Sequence, residues 1–379
     1  MAKAMKRKES SVKRGKIDIT FLSLVLILLT IGLVMLFSAS YAFSYEYYGN
    51  SYRFISRQAI FAVAGVAVML WVSRWDYHIF KRFAWVIYLG VMAILLLLLI
   101  LPAQVEGTGV KRWLALGPIT FQPSEFAKFA IVLIFASLIS ANYNQVKDFK
   151  FIAFLVVLLG STCALIVLEP HLSATILIFL LGIVLLIVGG LPKRYIFGGI
   201  GLGAGGVALL VLTGVIGYAS DRFKFWLDPW LAPTGEGFQT IQSLLAIGSG
   251  GLLGRGIGQS RQKYLWVPEP HNDFIFSIVC EEIGLIGALI IILLFALLIW
   301  RGFVIAMRSP DKFGSLMCIG LTFQVGLQAM LNIWVVTNTI PNTGIGLPFF
   351  SYGGTSLFLL LAEMGVVLSI SRRANIEKT

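Results

Sequence analysis

The residues best equipped for chemistry lie in Val267-Pro-Glu-Pro-His-Asn-Asp-Phe-Ile-Phe276, which closes the long polar stretch between Tyr218 and Phe274 and stands immediately ahead of an apolar run. It sets a carboxylate, Asp273, at the expected mouth of the bilayer, with basic residues on its approach. A membrane enzyme needs that arrangement when its substrate carries a polar head on a lipid tail. The competing role for Asp273 is an N-cap that satisfies the first free amides of the helix, a task Asn272 would perform equally well. On an unbroken helix turning about 100° per residue, Ser277, Cys280 and Gly284 fall on the Asp273 side, Glu281 lies roughly 12 Å deeper and Glu282 points the other way.

An ionised side chain at membrane depth costs at least about 2.5 kcal/mol on insertion scales, so each one needs a partner or a task. Glu125, Lys128, Glu169, Glu281, Glu282 and Glu363 are the candidates. Glu125 and Lys128 stand three apart in Phe121-Gln-Pro-Ser-Glu-Phe-Ala-Lys128 and share one helix face; Pro123 suits a first turn and Ser124 a cap. They read either as an ion pair locking helices together or as the polar lining of a cavity that a lipid-linked head group enters. Gly248-Ser-Gly-Gly-Leu-Leu-Gly-Arg-Gly-Ile-Gly258 offers successive glycine amides beside Arg255, Arg261 and Lys263, a candidate cradle for a diphosphate. A flexible re-entrant turn is the equal alternative, and the run lacks the strand-to-helix context and Gly-Lys-Ser/Thr ending of a nucleotide loop. Pro341-Asn-Thr-Gly-Ile-Gly-Leu-Pro348 followed by Phe349-Phe-Ser-Tyr-Gly-Gly-Thr-Ser356 cannot continue a helix, so it must fold back as a tight loop against its neighbours. Asp228, ahead of Pro229, reads as a turn residue whose carboxylate bonds nearby backbone amides.

The elements that must position these groups are transmembrane helices. With 58% hydrophobic and 13% charged residues and a mean hydropathy of +0.88, the chain falls outside the ordinary soluble class. Apolar runs near the roughly twenty residues needed to cross a bilayer occur at 18–41, 57–73, 80–101, 122–141, 151–168, 172–190, 194–217, 274–300, 313–336 and 350–371. The expectation is an all-α integral membrane protein, a bundle of ten transmembrane helices with a large extracytoplasmic loop, about 218–273, between helices 7 and 8. A basic cytoplasmic tail, 1–17, precedes a single polytopic domain, 18–379. The first run is too long for a signal h-region and reads as retained. No internal repeat is visible, which weakens a transporter built from inverted halves.

The formal net charge of +12 follows the membrane. Most of the 30 Lys and Arg residues fall in the tail and in alternate loops, while Arg53, Arg57, Lys111, Arg112, Arg222, Lys224, Arg255, Arg261 and Lys263 fall in the opposite set. The positive-inside rule then puts both termini in the cytoplasm and the long loop outside. The tail is expected against anionic lipid and not against nucleic acid. Cys163, Cys280 and Cys318 lie singly in apolar runs, a pattern that builds neither a disulfide framework nor a metal site.

Six stretches taken together resemble, in order along the chain, the SEDS family of bacterial wall polymerases, whose members include FtsW, RodA and SpoVE. They are Lys111-Arg-Trp-Leu-Ala-Leu-Gly-Pro118, Gln122-Pro-Ser-Glu-Phe-Ala-Lys128, Phe225-Trp-Leu-Asp-Pro-Trp230, Gly237-Phe-Gln-Thr-Ile-Gln-Ser243, Val267 to Phe276 with Glu281-Glu-Ile-Gly284, and Leu347-Pro-Phe-Phe-Ser-Tyr-Gly-Gly354. The resemblance implies a glycosyltransferase that polymerises lipid II into glycan strands on the outer face of the bacterial cytoplasmic membrane. It also implies as partners a class B penicillin-binding protein that cross-links the strands, and other divisome or elongasome membrane proteins. It makes Asp273 the essential aspartate and Glu125 and Lys128 the cavity pair. His271 and Ser351, inside the matching stretches, join Lys111, Arg112, Arg255, Arg261 and Lys263 as candidate substrate-binding residues. Two positions depart from the pattern. Asn272 stands where the family often has Thr, and Glu169-Pro-His171 stands where it often has Gln-Pro-Asp, so no acid at position 171 carries over. The compact Gly256-Ile-Gly-Gln-Ser-Arg-Gln-Lys263 stretch looks more like the division or sporulation branch than the elongation branch.

Such a reaction requires a sugar hydroxyl to attack the anomeric carbon of a donor leaving as a lipid diphosphate, with one general base and charge stabilisation on the departing group. Asp273 fits the base, and the basic residues on its side fit the diphosphates. A divalent cation, Mg2+ or Mn2+, is compatible with this chemistry, bound by phosphate oxygens and one carboxylate, but no dense acidic cluster demands it and no resident cofactor is expected. The rival readings are a head-group translocator, with Glu125, Lys128 and Glu281 lining a path, and a non-catalytic scaffold for a transpeptidase. The concentration of polar motifs on one side favours the enzyme.

Overall fold

The computed structural model describes residues 15–101, 112–116, 119–169, 171–192, 194–195, 224–235 and 237–374. Most of the basic tail, Lys111 and all but the start of the seventh expected span lie outside the described residues. Among the described residues, apolar helices form at the other nine expected spans. They are α1 (Ile19–Tyr48), α2 (Arg53–Val72), α3 (His78–Ile100), α4 (Pro123–Ala141), α5 (Phe149–Leu168), α6 (Leu172–Val188), α8 (Ile275–Met307), α9 (Lys312–Val336) and α10 (Gly354–Ser371). The shorter α7 (Phe238–Gly250) lies inside the polar stretch. One departure from an all-helical chain is a small antiparallel hairpin, β1 (Leu114–Leu116) with β2 (Ile119–Phe121), which pairs Leu114 with Phe121 and leads into α4.

Local chemistry sets the helix ends. Asp18 caps α1, its Oδ1 accepting from the Phe21 amide at 2.8 Å, and Gly49 ends it in the left-handed region at φ 66°. Asp311 caps α9 by accepting from the Gly314 amide at 2.8 Å. Pro123 opens α4, where its missing amide hydrogen costs nothing, but the expected Ser124 cap is not made: Gln122 is the capping position and gives no side-chain bond. At the same end of the bundle as Asp18, ion pairs join Asp18 to Arg301 at 2.8 Å and Asp76 to Arg373 at 2.6 Å.

The helices are not equally buried. The apolar windows of α4, α9 and α10 are 61, 67 and 61% buried, against 28 to 44% for the other long spans, so these three form the centre. α9 packs on both α4 and α8, and α10 packs on α2. Glu125, Lys128, Gln324, Gln328 and Glu363 all lie on those central helices, which keeps their polar groups away from lipid.

α8 is not the unbroken helix expected. At Gly284 the backbone turns to φ 68°, ψ −173°, and the glycine-rich segment after α7 fills the break. Leu285 and Ile286 amides donate to the carbonyls of Gly251 and Leu252 at 2.9 and 3.2 Å, and Arg255 and Gly256 amides donate to the carbonyls of Glu281 and Glu282 at 3.0 and 2.9 Å. Side chains complete the joint. Glu282 accepts from Lys263 Nζ at 2.9 Å, Ser38 Oγ at 2.7 Å and the Ser260 amide at 3.3 Å. Glu281 accepts from Ser260 Oγ and from the Arg261 and Gln262 amides at 3.0 and 3.3 Å, with Arg255 at 3.6 Å.

This joint makes two stability predictions. A Cβ at position 284 would collide with Gly254, Leu252 and Leu253 backbone atoms on a left-handed residue, whereas one at Gly248 would meet nothing. Gly284→Ala should therefore destabilise the detergent-solubilised protein by roughly 3 kcal/mol, read as a fall in unfolding temperature, and Gly248→Ala should leave that temperature nearly unchanged. Lys263→Met strands a buried carboxylate, a loss of about 3 to 5 kcal/mol, so folded yield should drop. Adding Glu282→Leu should recover most of it, and a double variant as poor as the single one would show that the pair is not the source.

Candidate functional site

A cavity of about 610 Å3 opens at the end of the bundle opposite Asp18. Its wall includes Gln122 and Glu125 at the start of α4, Ser173 and Ala174 at the start of α6, Asn272 and Asp273 ahead of α8, and Thr355 and Ser356 at the start of α10. Four helix N-termini thus converge on one space, and each carries free amides and roughly half a positive charge from its dipole. Arg57 and Arg112 add full charges to the same wall. The site suits an anion.

Asp273 sits on the rim, and its backbone is fixed from behind. Asn332 Nδ2, on α9, donates to the Asp273 carbonyl at 2.6 Å and to the Ile345 carbonyl at 2.7 Å. Ser351 Oγ donates to the Asn272 carbonyl and accepts from the Leu347 amide, both at 2.7 Å, while the Tyr352 amide donates to the His271 carbonyl at 2.9 Å. The 341–353 segment is therefore the expected fold-back loop, and its own Leu347, Phe349 and Phe350 are buried. The Asp273 carboxylate does not cap α8, whose capping position is Phe274 without a side-chain bond, so the capping role is not the one it performs. Burial holds the Asp273 carboxyl above its ordinary pKa; its own backbone amide pulls it down and Glu269 pushes it further up.

Below the rim, Lys128 Nζ meets Glu125 Oε1 at 2.8 Å and donates to Gln328 Oε1 at 3.1 Å, and Gln328 Nε2 donates to the Gly346 carbonyl at 3.1 Å. The expected pair is thus made, lines the cavity, and is wired to the loop that holds Asp273. The floor is Glu363 and Gln324, with Gln324 Nε2 donating to Glu363 Oε2 at 2.9 Å. His171 faces the same space beside Gln122 Nε2 and Ser124 Oγ, each 3.3 Å from Nδ1. Burial, then Arg112 and Lys128, lower its pKa to about 3, so the ring is neutral.

Of the residues expected at the site, Asp273, Glu125, Lys128, Arg112 and Ser351 share this cavity, Ser351 with its hydroxyl committed to backbone. Four do not line it. Lys263 and Arg255 bind Glu282 and Glu281, because ending a helix at membrane depth requires buried partners there, and Arg261 sits on the same joint through its amide. Of the glycine amides, that of Gly256 donates to the Glu282 carbonyl of α8 and that of Gly254 to the Gly250 carbonyl. Glu281 is clamped to that segment, so it lines no path. His271 is buried among Phe43, Phe54 and Tyr352, with ring centroids 4.9, 4.2 and 5.8 Å away, and burial lowers its pKa to about 4. Asp228 holds its turn, accepting from the Trp230 amide at 3.0 Å. The sequence reading does not single out Arg57, His171, Gln324 or Gln328; the available signal for the glutamines was two amides one helical turn apart inside an apolar run.

Residues 19–376 match the family described as Cell cycle protein, which covers FtsW, RodA and SpoVE. The chain is 38% identical over 365 residues to stage V sporulation protein E of Bacillus subtilis (strain 168), spanning 96% of this chain and 99% of that protein. It is 36% identical over 359 residues to the probable peptidoglycan glycosyltransferase FtsW of Geobacter sp. (strain M18), spanning 94 and 97%. A solved peptidoglycan synthase complex that coordinates polymerization and crosslinking superposes with a TM-score of 0.79 at 28% identity, over 95% of this chain and 99% of its own. The rod shape determining protein RodA of Thermus thermophilus gives 0.69 at 26% identity, over 95 and 98%. With the family match running nearly end to end and relatives this similar over almost their full length, the chain belongs to the FtsW/RodA/SpoVE family.

Proposed function

We propose that this chain is a peptidoglycan glycosyltransferase that polymerises lipid II, with Asp273 as its general base. The observation that carries the reading is a carboxylate of raised pKa on the rim of a cavity where four helix N-termini and two arginines gather. The acceptor hydroxyl gives its proton to Asp273 as its oxygen bonds to the anomeric carbon, and the bond to the lipid diphosphate breaks on the opposite face. The leaving oxygens gain charge as the bond breaks, and Arg57, Arg112 and the helix N-termini stabilise them. A divalent cation, where one takes part, travels with the diphosphate; among the described residues no group of three or more His, Cys, Asp and Glu side chains converges to hold one.

Inward of Gln324 and Glu363, α9 and α10 carry Met317, Leu321, Met364 and Val367, all buried and apolar, which supports the polymerase over the translocator. Relatives named as probable peptidoglycan glycosyltransferases and a similar complex that coordinates polymerization and crosslinking support the polymerase and a transpeptidase partner. Higher identity to sporulation and FtsW proteins than to RodA supports a division or sporulation role. The charge distribution supports a bacterial cytoplasmic membrane protein with both termini inside and the cavity opening outward.

Purified protein given labelled lipid II should yield glycan polymer. Asp273→Asn keeps size and removes the proton acceptor, so the rate should fall at least about a hundredfold with lipid II binding intact; a folded variant within a few-fold of wild type would remove Asp273 from the role. The wild-type rate should fall as pH drops through a value above the ordinary aspartate range, because a protonated carboxyl cannot take the proton. Asp228→Asn should lose activity only as far as it loses stability. Lys128→Ala and Glu125→Ala each strand a charge at membrane depth and should each reduce polymer formation or folded yield; wild-type values for both would rule out a cavity role for the pair.

A further inference from the structure

The cavity floor has an unusual hydrogen-bond balance. An ammonium carries three donors; two of those of Lys128 meet Glu125 Oε1 at 2.8 Å and Gln328 Oε1 at 3.1 Å. Glu363 uses Oε2 to accept from Gln324, while Glu363 Oε1 and Gln324 Oε1 accept from no group among the described residues. Lys128, Gln324 and Glu363 are 2, 2 and 1% exposed, and all three line the cavity. Lys128 and Glu363 are close enough to interact electrostatically, yet they form no ion pair within 4.0 Å. A buried acceptor without a donor costs about 1 to 3 kcal/mol and more when charged, so this floor is built for something that supplies the missing half.

We propose that Lys128 and Glu363, with Gln324, clamp a sugar hydroxyl of the lipid-linked head group. This deepens the polymerase reading and rests on it. A hydroxyl accepts from Lys128 and donates to Glu363 at once. A phosphate oxygen only accepts and would be repelled by Glu363; an ammonium only donates and would be repelled by Lys128. The cavity is therefore divided: the rim, with Arg57, Arg112 and the helix N-termini, takes the diphosphate, and the floor takes the sugar. Glu363 is a positioning residue in this scheme, because Asp273 on the rim handles the proton.

The test compares lipid II with undecaprenyl diphosphate, which shares the lipid diphosphate and lacks the sugar-bearing head group. Full-length Asp273→Asn protein in detergent, which should bind without turning over, is titrated with lipid II and with undecaprenyl diphosphate, reading tryptophan fluorescence. Adding Glu363→Met should weaken lipid II binding about tenfold or more, the usual worth of a charged hydrogen bond, and leave undecaprenyl diphosphate binding unchanged. Equal loss for both ligands, or no loss for lipid II, overturns the clamp. Should Glu363→Met not fold, Gln324→Met removes the other free acceptor, and an undiminished preference for lipid II in that variant overturns the proposal equally. In otherwise wild-type protein, the same substitution should raise KM and spare kcat. Polymerisation by wild type, together with a Glu363 variant that keeps the full preference for lipid II, would end the clamp alone, whereas sugar-dependent binding without any polymer from wild type would end the polymerase reading alone.

Discussion

The break in α8 at Gly284 is the constraint on which the rest of this structure hangs. A helix interrupted within a membrane leaves amides and carbonyls with no water to satisfy them, each at a cost of several kcal/mol. Four such groups, on Glu281, Glu282, Leu285 and Ile286, find their partners in the glycine-rich segment. Only glycine permits that approach: Gly251, Gly254 and Gly256 have φ of 58, 78 and 102°, and side chains at Gly250 and Gly254 would strike the α8 backbone. The two glutamates at the break then hold the following residues through Ser260, Arg261, Gln262 and Lys263. What looks in the sequence like a phosphate cradle is the missing turn of a helix.

Fixing that segment fixes the chain that follows it, and Asp273 lies ten residues beyond Lys263. The position of its carboxylate is set from two sides, by the joint behind it and by Asn332 and Ser351 tying residues 271–273 to the 345–352 loop. The same loop takes the Gly346 contact from Gln328 and hence from Lys128. Rim and cavity pair therefore share one rigid frame. Such a frame suits the proposed role of Asp273 as general base, because reaction rates are sensitive to misplacement on the scale of an ångström.

The spans were legible because the apolar runs are long, and nine of the ten expected fall on described helices. Asp273, Glu125 and Lys128 were legible because charge next to or inside an apolar run is costly and rare. What single-sequence reasoning mishandled was which partner each charge would find. Lys263 lies 19 residues from Glu282 and Ser38 lies 244 from it, separations that neither helical spacing nor motif resemblance reports. The α8 break escaped for a related reason: a lone glycine in an apolar run is compatible with a continuous helix, and only the partner segment makes the interruption tolerable. His271 shows the opposite failure, a titratable residue beside the key aspartate whose ring is consumed by aromatic packing.

The buried carboxylates sort by how completely their oxygens are used. Glu281 and Glu282 accept several bonds each and are cut off from the cavity, so their charge stabilises one arrangement of the backbone and nothing else. Glu125 is partly exposed and paired, which leaves it a role in shaping the field around Lys128. Glu363 sits at comparable depth with one oxygen unused and an open space in front of it. Glu169, 1% exposed, also leaves both oxygens without a partner among the described residues but lies off the cavity wall, so Glu363 is set apart by facing the cavity with an unused oxygen, at a cost of burial that a ligand there would relieve. That links the intramembrane charge of the sequence to the depth of the cavity: Lys128, Gln324 and Glu363 carry polar groups inward along α4, α9 and α10 to the floor of the space that Asp273 borders.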